Sequence, residues 1–263
     1  ITSEDTVFDV YSNDNLTITD CVGTGKVETV AKAVNDNYYP DTIVIARKFT
    51  LWNGAIKNSN GYGDAILGGK PANGIPSVTT IYGGEVEGIH LVDYTHAYIY
   101  GGKIESDRVA VYMQTGAKCY VYGGVINSRN SYAVSSIGTT GSLNTSLLNI
   151  SGGTITGAFR INTGDPYAVN LNMGRLEMSG GYIGGYVGGV YDLETGSVNR
   201  GAINKITGGT IDGYISISGG TTTITGGEFF GGSRINLTSG DVKISGGTFG
   251  SPKCYLGGSD VDV

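Results

Sequence analysis

Ile81-Tyr82-Gly83-Gly84-Glu85-Val86-Glu87-Gly88 is followed by Ile99-Tyr100-Gly101-Gly102-Lys103-Ile104-Glu105-Ser106 and then by Val121-Tyr122-Gly123-Gly124-Val125-Ile126-Asn127-Ser128. The unit is apolar, polar, Gly-Gly, any, apolar, polar, small. Five further copies begin at Ile150, Met178, Ile206, Ile224 and Ile244, so that the first glycines of the eight pairs are spaced 18, 22, 29, 28, 28, 18 and 20 residues apart. These periods are too short for helical repeats or propeller blades, and the Leu/Asn consensus of leucine-rich repeats is missing.

Inside a unit the apolar period is two. In Thr210–Thr225, Ile211 is followed by Gly213, Ile215 and Ile217 alternate with Ser216 and Ser218, and Gly219-Gly220 precedes Thr223-Ile224-Thr225. That is three short strands per coil, with one side of each strand inward and the other outward. One coil cannot bury its own apolar row, so successive coils must stack. The expected fold is all-β: a single-stranded parallel β-helix of three sheets with 18–28 residues per coil. One inward column reads Val86, Ile104, Ile126, Ile155, Ile183, Ile211, Phe229 and Phe249. A second reads Ile81, Ile99, Val121, Ile150, Met178, Ile206, Ile224 and Ile244. The longer spacings imply loops at Ser136 to Ser146, Thr163 to Arg175 and Asp192 to Ala202. Residues 1–60 are expected to hold an N-terminal cap and the first, irregular coils, and 61–263 one continuous solenoid. Within the first part, Val27, Val30, Ala31 and Val34 fit either a short amphipathic capping helix or a strand continuing Lys26-Val27-Glu28. Leu51-Trp52-Asn53-Gly54-Ala55-Ile56 is a degenerate copy of the repeat, with Trp52 expected in the core.

The chain has 263 residues, of which 46 are Gly but only 5 Pro, which excludes collagen and Pro/Gly linkers. Charged residues make up 15% and apolar ones 39%, so a core can form. The net charge is −6 with no Lys/Arg cluster, which argues against nucleic acid. No apolar run approaches a membrane span. Without a start Met or signal peptide the sequence reads as a mature or excised segment of a longer protein. Cys21, Cys119 and Cys254 are sparse and odd in number, and are expected to be buried small hydrophobes rather than disulfide or metal ligands.

The Gly-Gly-x-Ile repeats resemble the right-handed parallel β-helix repeats of large secreted and cell-surface proteins of bacteria, notably gut bacteria. Leu16-Thr17-Ile18-Thr19-Asp20-Cys21-Val22-Gly23-Thr24-Gly25-Lys26-Val27 is similar to an opening segment often seen before them. The resemblance covers most of the chain from about residue 7. It implies a right-handed coil and an extracellular or cell-surface location. It does not imply one activity, because the fold family includes pectin-degrading enzymes, adhesins and phage tail proteins.

A site must therefore come from particular residues. Tyr82, Tyr100 and Tyr122 precede consecutive Gly-Gly pairs and point outward by alternation, with Tyr98 and Tyr120 in the next outward column. With Glu85 and Lys103 beside them they form a candidate ligand-binding strip for a glycan or a host or bacterial surface molecule, or else a purely structural ladder. For an enzyme, the candidates are Glu87 and Glu105 in one register position, and Asp107-Arg108 with Arg129 one coil on, because two carboxyls on adjacent coils could meet hydrolase spacing. The doubled Asp, Gly-His-Gly and Arg-x-Lys of the family's hydrolases are absent, as is the paired Arg of pectate lyases. His90 and His96 read as a solvated loop rather than a metal pair. Gly63 to Pro71 reads as a glycine-rich bend rather than a phosphate loop, since Pro71 stands where Mg²⁺ needs Ser or Thr. No metal site and no cofactor is expected. The leading reading is a non-catalytic extracellular module for adhesion, glycan binding or display, monomeric or part of a larger chain. The alternatives are a polysaccharide lyase or glycoside hydrolase, and a trimeric phage tail fibre segment.

Overall fold

The computed structural model describes residues 1–10, 14–22, 24–30, 40–59, 63–69, 75–137, 146–159, 166–171, 174–189, 203–213, 215–230, 235–250 and 261–262. One coil shows the plan. Glu85–Val86, Ile89–Leu91 and His96–Ile99 lie on three successive sheets, here numbered I, II and III, and the next coil repeats them as Lys103–Ser106, Val111–Met113 and Lys118–Val121. Pairing between coils is parallel throughout each sheet: Val86 opposes Ile104, Ile89 opposes Val111, and Ile99 opposes Val121. This is the stacked parallel β-helix that the apolar alternation requires.

The inward columns fill the core. Val86, Ile104, Ile126, Ile155, Ile183, Ile211 and Phe229 are buried, as are Ile81, Ile99, Val121, Ile150, Met178, Ile206 and Ile224; Phe249 and Ile244, at the last coil, are only partly covered. Sheet II supplies a third column through Ile43, Ile66, Ile89, Val111, Val134 and Val169. Full burial of one such side chain contributes about 1.5–3 kcal/mol, but only when a neighbouring coil covers it.

The two glycines of each pair meet different demands. A Cβ on Gly101 would stand 2.5 Å from the carbonyl oxygen of Tyr82 on the preceding coil. The first glycine is therefore required by the close approach of backbone. Gly102 has φ +79°, a left-handed conformation that L side chains rarely adopt, and a Cβ there would lie 2.7 Å from the Gly84 carbonyl oxygen. The equivalent second glycines, from Gly84 to Gly247, all have positive φ.

Several expectations are corrected. Lys26–Thr29 is a strand of sheet I, so Val27 belongs to the strand alternative; residues 31–34, with the rest of the expected helix, lie outside the described residues. Pro166–Leu171 falls within a segment expected to be a loop, yet it supplies the sheet II strand of its coil. The expected loops near 136–146 and 192–202 lie mostly outside the described residues. Within Gly63 to Pro71, Ile66–Gly68 is a sheet II strand rather than a bend. Cys119 is buried, with its thiol pushed up to about 12 by burial, whereas Cys21 is exposed; Cys254 lies outside the described residues.

The corner geometry generates a stability prediction. Gly102→Ala should lower stability by roughly 1–3 kcal/mol, because it combines a strained φ with a backbone clash. Val125→Ala, at a half-exposed outward position, should stay within about 0.5 kcal/mol of the unmodified protein. Urea unfolding followed by circular dichroism measures both.

Candidate functional site

The residue before each Gly-Gly pair leaves sheet III at a corner, and its backbone is tied to the coil below: the N–H of Tyr82 donates to Leu51 O and that of Tyr100 to Ile81 O. Side chains at this position are therefore repeated at the strand spacing of about 4.8 Å, which is the separation of stacked rings. Trp52 stacks on Tyr82 at 4.1 Å, Tyr82 on Tyr100 at 5.0 Å and Tyr100 on Tyr122 at 4.8 Å, with interplanar angles of 12°, 12° and 10°. Trp52 is thus not a core residue. It is exposed and forms the first rung of the corner ladder. The signal was present in the sequence: alignment of Leu51-Trp52-Asn53-Gly54 with Ile81-Tyr82-Gly83-Gly84 puts Trp52 in the tyrosine column.

Tyr98 and Tyr120 form a second, shorter ladder on the outer side of sheet III, stacked at 5.0 Å and 6°, with His96 edge-on to both rings. Both ladders stop at one coil, where Asn149 opposes Tyr120 and Ser151 follows Ile150 at the corner. The residues that follow the ladder positions, Asn53, Gly54, Gly84, Glu85, Gly102 and Lys103, line a groove of about 420 Å³ together with Thr24, Gly25 and Ala55; the rings themselves are not part of its lining. Of the expected strip residues, Tyr82, Tyr100 and Tyr122 belong to the corner ladder, Tyr98 and Tyr120 to the second ladder, and Glu85 and Lys103 stand opposite each other on sheet I at the groove.

The proposed enzyme residues divide into two groups. Glu105 accepts hydrogen bonds from Lys103 Nζ at 2.8 Å, Asn127 Nδ2 at 2.9 Å and Arg129 Nη2 at 2.6 Å, and Arg129 Nη1 also donates to Asp107 at 2.8 Å. These donors, the Lys103 ammonium first, hold the Glu105 carboxyl down at about 2. A carboxylate so strongly acidic and so fully engaged is a poor proton donor and a poor nucleophile. Glu87 is raised by burial, although the backbone of Asn58 and the charge of Lys57 oppose the shift. Glu87 and Glu105 share a cavity of only about 80 Å³ with Lys57, Glu85, Lys103 and Arg129. The group is an ion-pair network on the face of sheet I.

Arg108 and Asp107 instead line a larger groove, about 590 Å³, with Asp64, His90, Val109, Tyr112, Asn130 and Ser131. His90 and His96 are not in a loop: they lie on strands of sheets II and III, half-buried. Register places His90 opposite Tyr112, and their rings meet edge to face at 4.9 Å. His90 Nδ1 lies 3.1 Å from Asp64 Oδ2, while Nε2 is buried without a hydrogen-bond partner among the described residues. Behind this pair, the N–H of Asp64 donates to Asp41 Oδ1 at 2.8 Å, and Asn58 Nδ2 fixes the two segments through Pro40 O and Asp64 O. Burial pushes the Asp41 carboxyl up to about 6. The outward alternation of Ile89-His90-Leu91 and Val111-Tyr112-Met113 could have disclosed the His90–Tyr112 contact. Asp41 and Asp64 could not be placed, because the coils before residue 81 have irregular lengths. Among the described residues no group of three or more His, Cys, Asp or Glu is arranged to hold a metal ion. Comparison with protein-family models, curated proteins and solved structures finds no match to this chain.

The Asp41 environment predicts a pH dependence. Its folded carboxyl titrates above the ordinary value, so the protonated form favours the native state. That contribution is fully present below about pH 4 and is lost as pH rises through about 6. Asp41→Asn keeps the acceptor oxygen and removes the charge. It should be more stable than the unmodified protein at pH 7.5 by about 2–3 kcal/mol, with the difference vanishing near pH 4. Urea unfolding at the two pH values measures it.

Proposed function

We propose that this solenoid is a non-catalytic module of a bacterial secreted or cell-surface protein, and that its aromatic corner binds a glycan of a host or bacterial surface. The observation that carries this reading is the coincidence, on one edge, of four stacked rings with a glycine-floored groove walled by Asn53, Glu85 and Lys103. Ring edges and phenol tips, followed along each coil by hydrogen-bonding groups of both charges, suit an extended, uncharged or weakly charged polyhydroxylated chain. The flat glycine floor lets such a chain approach the backbone. The test is affinity electrophoresis through neutral and acidic polysaccharides and mucin. The unmodified protein should be retarded by at least one polymer. Combined Glu85→Ala and Lys103→Ala, which leaves the rings in place, should weaken that retardation by about fivefold or more, the equivalent of one or two lost hydrogen bonds. Migration unaffected by every polymer would remove the binding role and leave a display module.

A second reading, a polysaccharide lyase or hydrolase, draws on the 590 Å³ groove, where His90 is oriented through Nδ1 by Asp64 beside Arg108 and Tyr112. It predicts new reducing ends or unsaturated-sugar absorbance on incubation with polysaccharide, abolished by His90→Gln. No product from acidic or neutral polymers would exclude it.

A further inference from the structure

The faces of the aromatic ladder are not equally available. A sugar ring stacks on an aromatic side chain by laying its C–H face against the flat of the ring, yet each inner rung has a neighbour on both sides. Tyr82 lies between Trp52 and Tyr100 at 4.1 and 5.0 Å, and Tyr100 lies between Tyr82 and Tyr122 at 5.0 and 4.8 Å. Among the described residues, the end rungs are the ones with a face that no ring covers. At the Tyr122 end this gives no added accessibility: Tyr122 is 43% exposed, against 45% for the doubly stacked Tyr100 and 40% for Tyr82. At the other end Trp52 is 53% exposed, the most accessible rung, and it carries the largest ring. On the coil before it, register places Thr19 at the ladder position, because Ile18 opposes Leu51 and the Trp52 N–H donates to Ile18 O.

The ground beside that open face is polar and held in place. The Asp20 carboxylate accepts the N–H of Val22 at 3.0 Å and that of Gly25 at 2.6 Å, and its carbonyl oxygen accepts from Asn53 Nδ2 at 3.5 Å. Thr24, Gly25 and Asn53 then form one end of the 420 Å³ groove that continues to Glu85 and Lys103. A flat hydrophobic face next to clustered donors and acceptors matches a ring that is apolar on its faces and hydroxylated at its edge. A pyranose with equatorial hydroxyls has that form.

Resting on the glycan-binding reading, we propose that Trp52 is its stacking subsite and that a pyranose unit of the bound chain takes the place of the missing aromatic rung above Thr19. The inner tyrosines hold Trp52 in position and do not themselves stack on sugar.

The chain has one tryptophan, so its emission reports this contact directly. Cellohexaose, an all-equatorial pyranose chain, is the probe, with affinity from calorimetry and Trp52 fluorescence in parallel. Binding should shift or quench Trp52 emission. Thr19→Tyr supplies the absent rung at an exposed position and leaves Trp52 and the groove residues unchanged. It should lower affinity by about tenfold or more without loss of melting temperature. Tyr122→Ser, which gives the far end the residue found at 151, should bind within about twofold of the unmodified protein. Calorimetric binding that leaves Trp52 emission unmoved and survives Thr19→Tyr would overturn the stacking subsite while leaving the groove intact. Retardation by polysaccharides without any cellohexaose binding would also overturn it. Loss of all retardation and all calorimetric heat would instead overturn the glycan reading on which it rests.

Discussion

The structure depends on the crossing of backbone over backbone at the Gly-Gly corner. At the first glycine the carbonyl of the residue one coil below occupies the space a Cβ would need, as with Tyr82 O beneath Gly101 and Tyr100 O beneath Gly123. At the second, positive φ turns the chain from sheet III into sheet I. Together they fix where each coil sits on the last, and the register of all three sheets follows. A one-residue slip would turn the apolar column outward on every strand. The loops can therefore vary from coil to coil while Val86, Ile104, Ile126, Ile155, Ile183 and Ile211 remain aligned in the core.

The same constraint governs the outer surface. Each outward position is repeated at strand spacing, so every side chain meets its counterparts above and below. For rings this is favourable, and the ladders of Trp52 to Tyr122 and of Tyr98 with Tyr120 result. For like charges it is unfavourable. Glu87 and Glu105 fall in successive positions of one column, with Lys57 before them and Asn127 after, and Lys103 and Arg129 reach in from neighbouring positions. The Glu105 carboxylate is balanced by the cations of Lys103 and Arg129 and the amide of Asn127. Charge compensation along a stack explains this cluster more economically than an active site does.

The sequence disclosed most where the lattice is most regular. From residue 81 onward, the doubled glycines and the period-two alternation identified the coil, its inward columns and the outward tyrosines, because each copy constrains the next. Trp52 was misplaced because its coil carries Asn53 where the others carry the first glycine, and a lone tryptophan in an imperfect copy looks like core. Asp41, Asp64 and His90 were not joined because their contact depends on two long, unequal corners between sheets I and II. There the Asp64 N–H reaches Asp41, 23 positions earlier, and Asn58 bridges Pro40 and Asp64. No local pattern encodes these contacts, since the Asp41–Asp64 and Asn58–Pro40 hydrogen bonds join residues of different coils.

In a solenoid of this kind a ligand gains least from the uniform parts. An inner rung of a ladder has spent both faces on its neighbours, and an outward residue within a uniform column is already satisfied by the coils on either side. Unspent chemistry collects where the repeat changes: at the end of the ring stack, where Thr19 takes the ladder position next to Trp52, and on the sheet II strand that faces the irregular corner, where His90 Nε2 has no hydrogen-bond partner among the described residues. A perfectly periodic version of this sequence would fold more simply and would offer a partner little beyond ring edges and paired charges. The departures from the repeat are therefore the places where the proposed recognition would have to be built.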